Sequence, residues 1–189
     1  MKDNIGKKLI LLGVALVVLD QVTKILVKTN MCLGESIPVI GDFLRIAFVE
    51  NEGMAFGMKW GGAVGKILLS VFRIGLFAAL WWWISSLIKK KAAPTGVLVG
   101  LTLIAAGALG NIIDCWFYGL VFDESTPFSV ASFGGSYAPF MMGKVVDMIS
   151  FNFFPPVFNV ADSCVSVGAV YLVLFHWKFF ASEDKKSEK

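Results

Sequence analysis

Apolar residues in this chain run in long blocks, with few of the polar interruptions that mark a fold surrounded by water. Four blocks approach the roughly 20 residues a helix needs to cross a hydrocarbon core. The first covers residues 9–27, uncharged up to Leu19 and then carrying Asp20, Gln21, Thr23 and Lys24. The second, 67–88, holds one charge, Arg73. The third, 95–118, is apolar until Asn111 and Asp114. The fourth, 158–180, is apolar except for Asn159 and Asp162 near its start and a polar end. Each block predicts a membrane-spanning helix. Hydrophobic residues make up 57% of the chain and charged residues 16%, below the roughly 25% charged of a soluble domain. That is too few charges to cover a globule of this size, so lipid must solvate much of the surface. A disordered chain, a secreted disulfide mini-domain and an ordinary cytosolic enzyme are excluded.

Lys2, Lys7 and Lys8 ahead of the first block fit a signal peptide, but Asp20-Gln21 stands where small residues should precede a cleavage site. With three more spans following, the first block reads as an uncleaved helix. The lysines then set the topology. Those at the N-terminus, Lys89, Lys90 and Lys91 between spans two and three, and Lys185, Lys186 and Lys189 in the tail belong on one side, the cytoplasm. The connections 28–66 and 119–157 face out, and both termini face in. The expectation is one integral-membrane domain over residues 1–189, with tail residues 182–189 as a solvated end. In the first outer loop, Pro38 and Gly41-Asp42 within the apolar stretch 37–49 predict a short β-hairpin. The second is dense in aromatics, which suits the membrane interface. The net charge of +3 is too small to imply nucleic acid, and Cys32, Cys115 and Cys164 form no CxxC pair, so neither a disulfide framework nor a zinc site is predicted.

Charged residues inside a span are functional by default, each costing about 2.5–3.5 kcal/mol at mid-membrane on the insertion scale. With this topology Asp20, Lys24, Arg73, Asn111, Asp114, Asn159 and Asp162 all fall in the outer half. Packing accidents would scatter in depth, whereas one depth implies a single polar site opening outward. Asp20 and Lys24 are i and i+4 and can pair. Asn111 and Asp114, like Asn159 and Asp162, are i and i+3 and share a face, which Ser166 extends. The small residues of span three, Gly100, Ala105, Ala106, Gly107, Ala108 and Gly110, read as a close-packing surface.

The chemistry left to such a site is narrow. The lone His176 lies near the cytoplasmic end of span four, which excludes an HExxH centre and serine–histidine or cysteine–histidine catalysis. There is no phosphate loop. Carboxylates remain: Asp20, Asp114 and Asp162 in spans, and Asp147 in Val145-Val146-Asp147-Met148-Ile149. Two carboxylates held together share a proton and can activate water between them. Four Asp allow six pairs. Asp20 has Lys24 as a partner and Asp114 has a helix-end role, which leaves Asp147–Asp162 as the best of the six. A proton-coupled transporter or channel subunit is the alternative, disfavoured because no ionisable group continues through the inner half. A scaffold without chemistry leaves the buried Asp residues unexplained.

Five segments then occur in order: Asp20-Gln21-Val22-Thr23-Lys24, Asn51-Glu52-Gly53-Met54-Ala55-Phe56-Gly57, Gly107-Ala108-Leu109-Gly110-Asn111-Ile112-Ile113-Asp114, Val145-Val146-Asp147-Met148-Ile149 and Phe158-Asn159-Val160-Ala161-Asp162. Together, spread over all four spans and both outer loops, they resemble the lipoprotein signal peptidases (type II signal peptidases). The resemblance implies an all-α membrane protein of four transmembrane helices, with a small β-rich periplasmic cradle and a periplasmic helix or loop lid. It implies an aspartic endopeptidase of the bacterial inner membrane, without metal or cofactor, that acts on diacylglyceryl-prolipoproteins in contact with membrane lipid and cuts just before the lipidated Cys. A monomer is expected. Asp147 and Asp162 take the catalytic positions. Asp20, Lys24, Asn51, Gly53, Gly57, Gly107, Gly110, Asn111, Asp114, Asn159 and Ala161 line or brace the site, and a mobile outer helix in the second loop covers it. Two departures stand out. Cys115 occupies the position after Asp114 where the family usually has Arg, with Arg73 and Lys144 as candidate substitutes. The stretch 118–144 is longer than usual. Cys115 and Cys164 both lie near the outer leaflet, where a disulfide is the alternative to the expected two buried thiols.

Overall fold

The computed structural model describes residues 4–52 and 62–187. Four helices in it are long and apolar enough to cross a membrane. Helix α1 covers Ile5–Asn30, α2 Gly62–Lys90 and α3 Thr95–Ile113. Helix α3 continues through a π-helical turn, Asp114–Tyr118, and a last turn, Gly119–Val121. Helix α4 covers Val160–Ser187.

The helix bounds differ from the apolar blocks in two ways. The first three helices run beyond the apolar blocks, and where polar residues fall in these extensions some of them find partners. Lys28, for instance, is fully buried in the last turn of α1. The fourth begins at Val160 rather than 158, because a strand carrying Pro155 and Pro156 runs up to Phe158 and Asn159 then caps the helix.

Helix α3 is the hub. Of its most apolar stretch 56% is buried, against 11–17% for the other three spans. Their outer surfaces carry Leu11, Trp82 and Leu174, all well exposed, as lipid-facing helices do. The small residues of α3 let α4 approach closely. A Cβ on Gly107 would collide with the backbone oxygen of Ala161, and one on Gly168 would lie 2.8 Å from the oxygen of Gly100. A Cβ on Gly110 would lie 2.6 Å from Asp20 Oδ2, so α1, α3 and α4 meet at this level.

Outside the spans lies a four-stranded antiparallel sheet in the order β1-β2-β3-β4. Strands β1 (Ser36–Ile40) and β2 (Leu44–Asn51) form the expected hairpin, with Gly41 at φ +48° in its turn. Strands β3 (Val145–Phe151) and β4 (Phe154–Phe158) complete the sheet. The prolines of β4 are tolerated because it is an edge strand. Register pairs Val49 with Asp147 and Asn51 with Val145, which sets β3 against the end of β2.

Residues 122–144 contain no helix, so the expected outer helix is absent. Pro127, Gly134, Gly135 and Pro139 interrupt any helical run, and the segment is laid down by specific bonds instead. Leu33 N–H donates to Thr126 O (3.0 Å), Gly143 N–H to Cys115 O (2.9 Å) and Ala131 N–H to Lys28 O (3.3 Å). The second of these satisfies a carbonyl within the π-turn. Buried Lys28 fixes the segment further. Its Nζ is 2.5 Å from Glu50 and 2.7 Å from Ser125 Oγ, and it lies over the rings of Phe122 and Tyr137. Burial alone would raise the Glu50 carboxyl, but the Lys28 ammonium holds it below the usual carboxylate range.

Candidate active site

The site is built outward from one buried cation. Lys24 has three ammonium donors and three acceptors: Asp20 Oδ2 at 2.8 Å, Asp114 Oδ2 at 2.8 Å and Asn111 Oδ1 at 2.9 Å. Its side chain and both carboxylates are essentially inaccessible. Two carboxylates around one ammonium leave excess negative charge in an apolar setting, and backbone donors offset it. Ala161 N–H, in the first turn of α4, gives Asp20 Oδ1 a 2.8 Å bond, where the helix N-terminus favours an anion. Val146 N–H and the Gln21 amide do the same for Asp114, at 3.3 and 2.9 Å. Tyr118 in turn donates to Gln21 Oε1 at 3.2 Å.

That cation fixes the polarity of the next shell. Because Lys24 occupies Asn111 Oδ1, the amide nitrogen of Asn111 must point the other way, where it donates to Asp162 Oδ1 at 2.8 Å. Asn159 also donates to Asn111 Oδ1, at 3.1 Å, and its Nδ2 reaches Asp147 Oδ1 at 2.7 Å. Asn51, at the end of β2, donates to Asp147 Oδ2 at 3.3 Å. Asn159 and Asp162 form a reciprocal capping box at the start of α4: Asp162 N–H donates to Asn159 Oδ1 (2.8 Å) and Asn159 N–H to Asp162 Oδ2 (3.4 Å).

Asp147 and Asp162 therefore arrive from different elements, the middle of β3 and the first turn of α4, and both line one cavity of about 450 Å³. Asn51, Arg73, Asn111 and Ser166 line it as well, beside the apolar Leu76, Val157 and Val165. Burial, reinforced by the neighbouring Asp162 carboxylate, pushes Asp147 up to about 7. Two carboxyl groups in one cavity, one inclined to keep its proton at neutral pH, are the arrangement that acid–base activation of a bound water requires.

Of the residues singled out in the sequence, Asp20, Lys24, Asn51, Asn111, Asp114, Asp147, Asn159, Ala161 and Asp162 all belong to this network. Gly107 and Gly110 supply the close helix contacts beneath it. Gly53 and Gly57 lie outside the described residues. Asp114 is not at a helix end as the sequence reading had it. It sits at the junction of α3 with the π-turn, a distortion common at functional sites. Of the two candidates to replace the missing Arg, Lys144 faces Glu50 at 3.2 Å, whereas Arg73 reaches Cys115 Sγ at 3.5 Å. Cys115 and Cys164 are free, buried thiols. Gln21, Tyr118 and Lys28 were not anticipated. The signal for two of them was helical spacing, since Lys28 is Lys24+4 and Tyr118 is Asp114+4.

Four helices long and apolar enough to cross a membrane, with a cavity that holds two carboxyl groups between them and the sheet, define a multi-pass membrane protein with the makings of a hydrolase. The family model described as Signal peptidase (SPase) II matches residues 12–178. A curated lipoprotein signal peptidase of Porphyromonas gingivalis is 40% identical over 190 residues, covering 89% of this chain and 82% of the relative. One from Staphylococcus aureus is 30% identical over 183 residues, covering 95% and 94%. A solved structure, described as a bacterial membrane enzyme determined by the in meso method, superposes with a TM-score of 0.64 at 29% identity, over 97% of this chain and 92% of that one. The chain belongs to the signal peptidase II family and is a membrane peptidase.

Proposed function

We propose that this protein is an aspartic endopeptidase that removes the signal peptide from diacylglyceryl-modified prolipoproteins, cutting just before the lipidated Cys, with Asp147 and Asp162 as its catalytic pair. The observation that carries the reading is the convergence of these two carboxylates on one cavity, each held by an asparagine amide: Asn159 on Asp147 at 2.7 Å and Asn111 on Asp162 at 2.8 Å. Membership of the signal peptidase II family supports the substrate class.

Asp147, the carboxyl whose pKa is pushed up to about 7, supplies the acid of the pair, and Asp162 acts as its base. Asp162 takes a proton from a water in the cavity as the water oxygen attacks the scissile carbonyl carbon. Asp147 donates its proton to the carbonyl oxygen, giving a neutral gem-diol. Collapse of the diol breaks the C–N bond. The leaving nitrogen takes the proton from Asp162, and a diol proton returns to Asp147. Two acyl chains hold the substrate's cut site near the bilayer surface, which is the depth of α4's first turn when both termini face the cytoplasm and the sheet lies on the periplasmic side. The extended peptide needs polar partners in that setting, and Asn51 together with strand β4, which lines the cavity, supplies them.

The test is purified protein in detergent with added lipid, given a prolipoprotein with and without its diacylglyceryl group. Cleavage of the lipidated form alone, lost in both Asp147→Asn and Asp162→Asn, is expected. Wild-type turnover in either variant would reject the pair.

A further inference from the structure

A second cavity, of about 470 Å³, lies in the half of the bundle away from the sheet and shares no residue with the cavity of Asp147 and Asp162. Helices α1 and α2 both pack on α3, and among the described residues they make little contact with each other. A groove therefore runs between them. One wall carries Gly6, Ile10, Val14 and Val18, and the other Trp81, Ser85 and Ile88. Ala105 and Ala106 of α3 keep the floor low. The floor hydroxyl of Thr102 already donates to Leu98 O at 2.7 Å, so the channel offers an occupant little but apolar surface. Its mouth is open, since a Cβ on Gly6 would meet nothing within 4 Å. From Gly6 to Val18 is about 18 Å at 1.5 Å per residue, enough to cross one leaflet of a hydrocarbon core about 30 Å thick.

The mouth is basic. Lys7 stands at i to the i+7 of Val14 and the i+11 of Val18, on the rim of α1, and Lys89 follows Ser85 by four on the rim of α2. Both lysines are exposed, and no acidic residue lines the groove. We infer that the groove binds one anionic phospholipid from the leaflet on that side, with an acyl chain between α1 and α2 and the phosphate between Lys7 and Lys89. A fully seated helix, 10–12 Å across, would need roughly three times this volume over the same length, whereas an extended acyl chain is narrow enough. A zwitterionic headgroup brings a cation of its own to the lysines, so an anionic one is favoured.

The test is native mass spectrometry of the delipidated protein in non-ionic detergent, titrated with phosphatidylglycerol and with phosphatidylcholine of the same chains. Thermal melting of each variant reports folding. Wild type should bind one phosphatidylglycerol at least about fivefold more tightly than phosphatidylcholine. Lys7→Gln with Lys89→Gln should weaken phosphatidylglycerol roughly tenfold or more and leave phosphatidylcholine as it was. Lys8→Gln with Lys90→Gln removes the same charge from faces turned away from the groove, and should stay within about twofold of wild type. Gly6→Phe fills the mouth and should lose both lipids. Equal affinity for the two lipids in wild type overturns the proposal, because the groove is then filled without selection. Equal losses in the two lysine pairs overturn it in favour of a diffuse basic surface, and a dimer dissociated by Gly6→Phe gives the groove to a second copy. Should Gly6→Phe not fold, phosphatidylglycerol with a photoactivatable acyl chain decides the seat. Cross-links to residues 6–18 and 77–88 are expected, and cross-links confined to other segments overturn the assignment.

Discussion

Asn159 and Asp162 cap each other's backbone N–H at the start of α4, and the remaining amide nitrogen of Asn159 bonds Asp147 at 2.7 Å. One side chain thus begins a helix and orients a carboxylate brought in from the sheet. Separating the two jobs is a direct test. Asn159→Ala should lose both, with a stability loss of about 1 kcal/mol for the cap and a kcat reduced by roughly a hundredfold or more. Asn159→Ser restores a cap oxygen but cannot span to Asp147. It should melt near wild type and stay slow. Recovery of activity with the cap alone would show that the bond to Asp147 is dispensable.

Asp147 gives a prediction with a definite sign. Its folded pKa of about 7 lies above the ordinary value of 3.8, so the folded state binds the proton more tightly than the unfolded state. The penalty on the fold is absent below about pH 4, grows between there and pH 7, and is complete above. Asp147→Asn removes it. The variant should melt above wild type at pH 8, and the gap should close as pH falls through 7 toward 4. Activity should show the same group from the other side: kcat declines above about pH 7 as the shared proton leaves, with the apparent value belonging to the pair.

The buried cation makes a harsher prediction. Lys24→Met leaves Asp20 and Asp114 facing each other without their ammonium, and loss of one partner in a buried ion pair typically costs about 3–5 kcal/mol. This variant should fail to accumulate as folded protein. The triple change Asp20→Asn, Lys24→Met, Asp114→Asn removes the uncompensated charge and should recover insertion and a measurable melt. It should be much slower than wild type, because Asn159 alone is left to hold the Asn111 oxygen away from Asp162.

Much of this was readable from the chain, for physical reasons. Four membrane-spanning helices need long apolar runs, and polar residues tolerated inside them, such as Asp20, Asn111 and Asp162, mark their own importance by their insertion cost. Helical spacing then predicted the Asp20–Lys24 pair. The misses have equally specific causes. Strand β3 is buried along its first four residues, so it shows no alternation and read only as a short apolar stretch. The prolines of β4 hid an edge strand. The π-turn at 114–118 has no sequence period to betray it. Lys28 looked like the start of a loop because its partners, Glu50 and Ser125, lie 22 and 97 residues away. The convergence of Asp147 with Asp162 rests on the register of β3 against β2, which spacing alone does not fix.

The helix contact beneath the site should be as sensitive as the site itself. Gly107 lies against α4 so closely that an added methyl group would collide with the backbone oxygen of Ala161 and lie 2.7 Å from Val165 Cγ2. Backbone cannot swing aside as a long side chain does, so Gly107→Ala must push α4 away from α3. Ala161 N–H holds Asp20, and Asp162 follows it in the chain, so that displacement loosens the Asp20 bond and moves a carboxylate of the proposed pair. Gly13 is a matched control in the same membrane: an added Cβ would meet only Thr102 Cγ2, at an ordinary 3.6 Å. Gly107→Ala should lower the melting temperature by several degrees and cut kcat at least tenfold. Gly13→Ala should change neither, and should raise stability slightly if it acts only through helix propensity. Equal behaviour of the two variants would mean that α3 and α4 are not packed as closely as these contacts require.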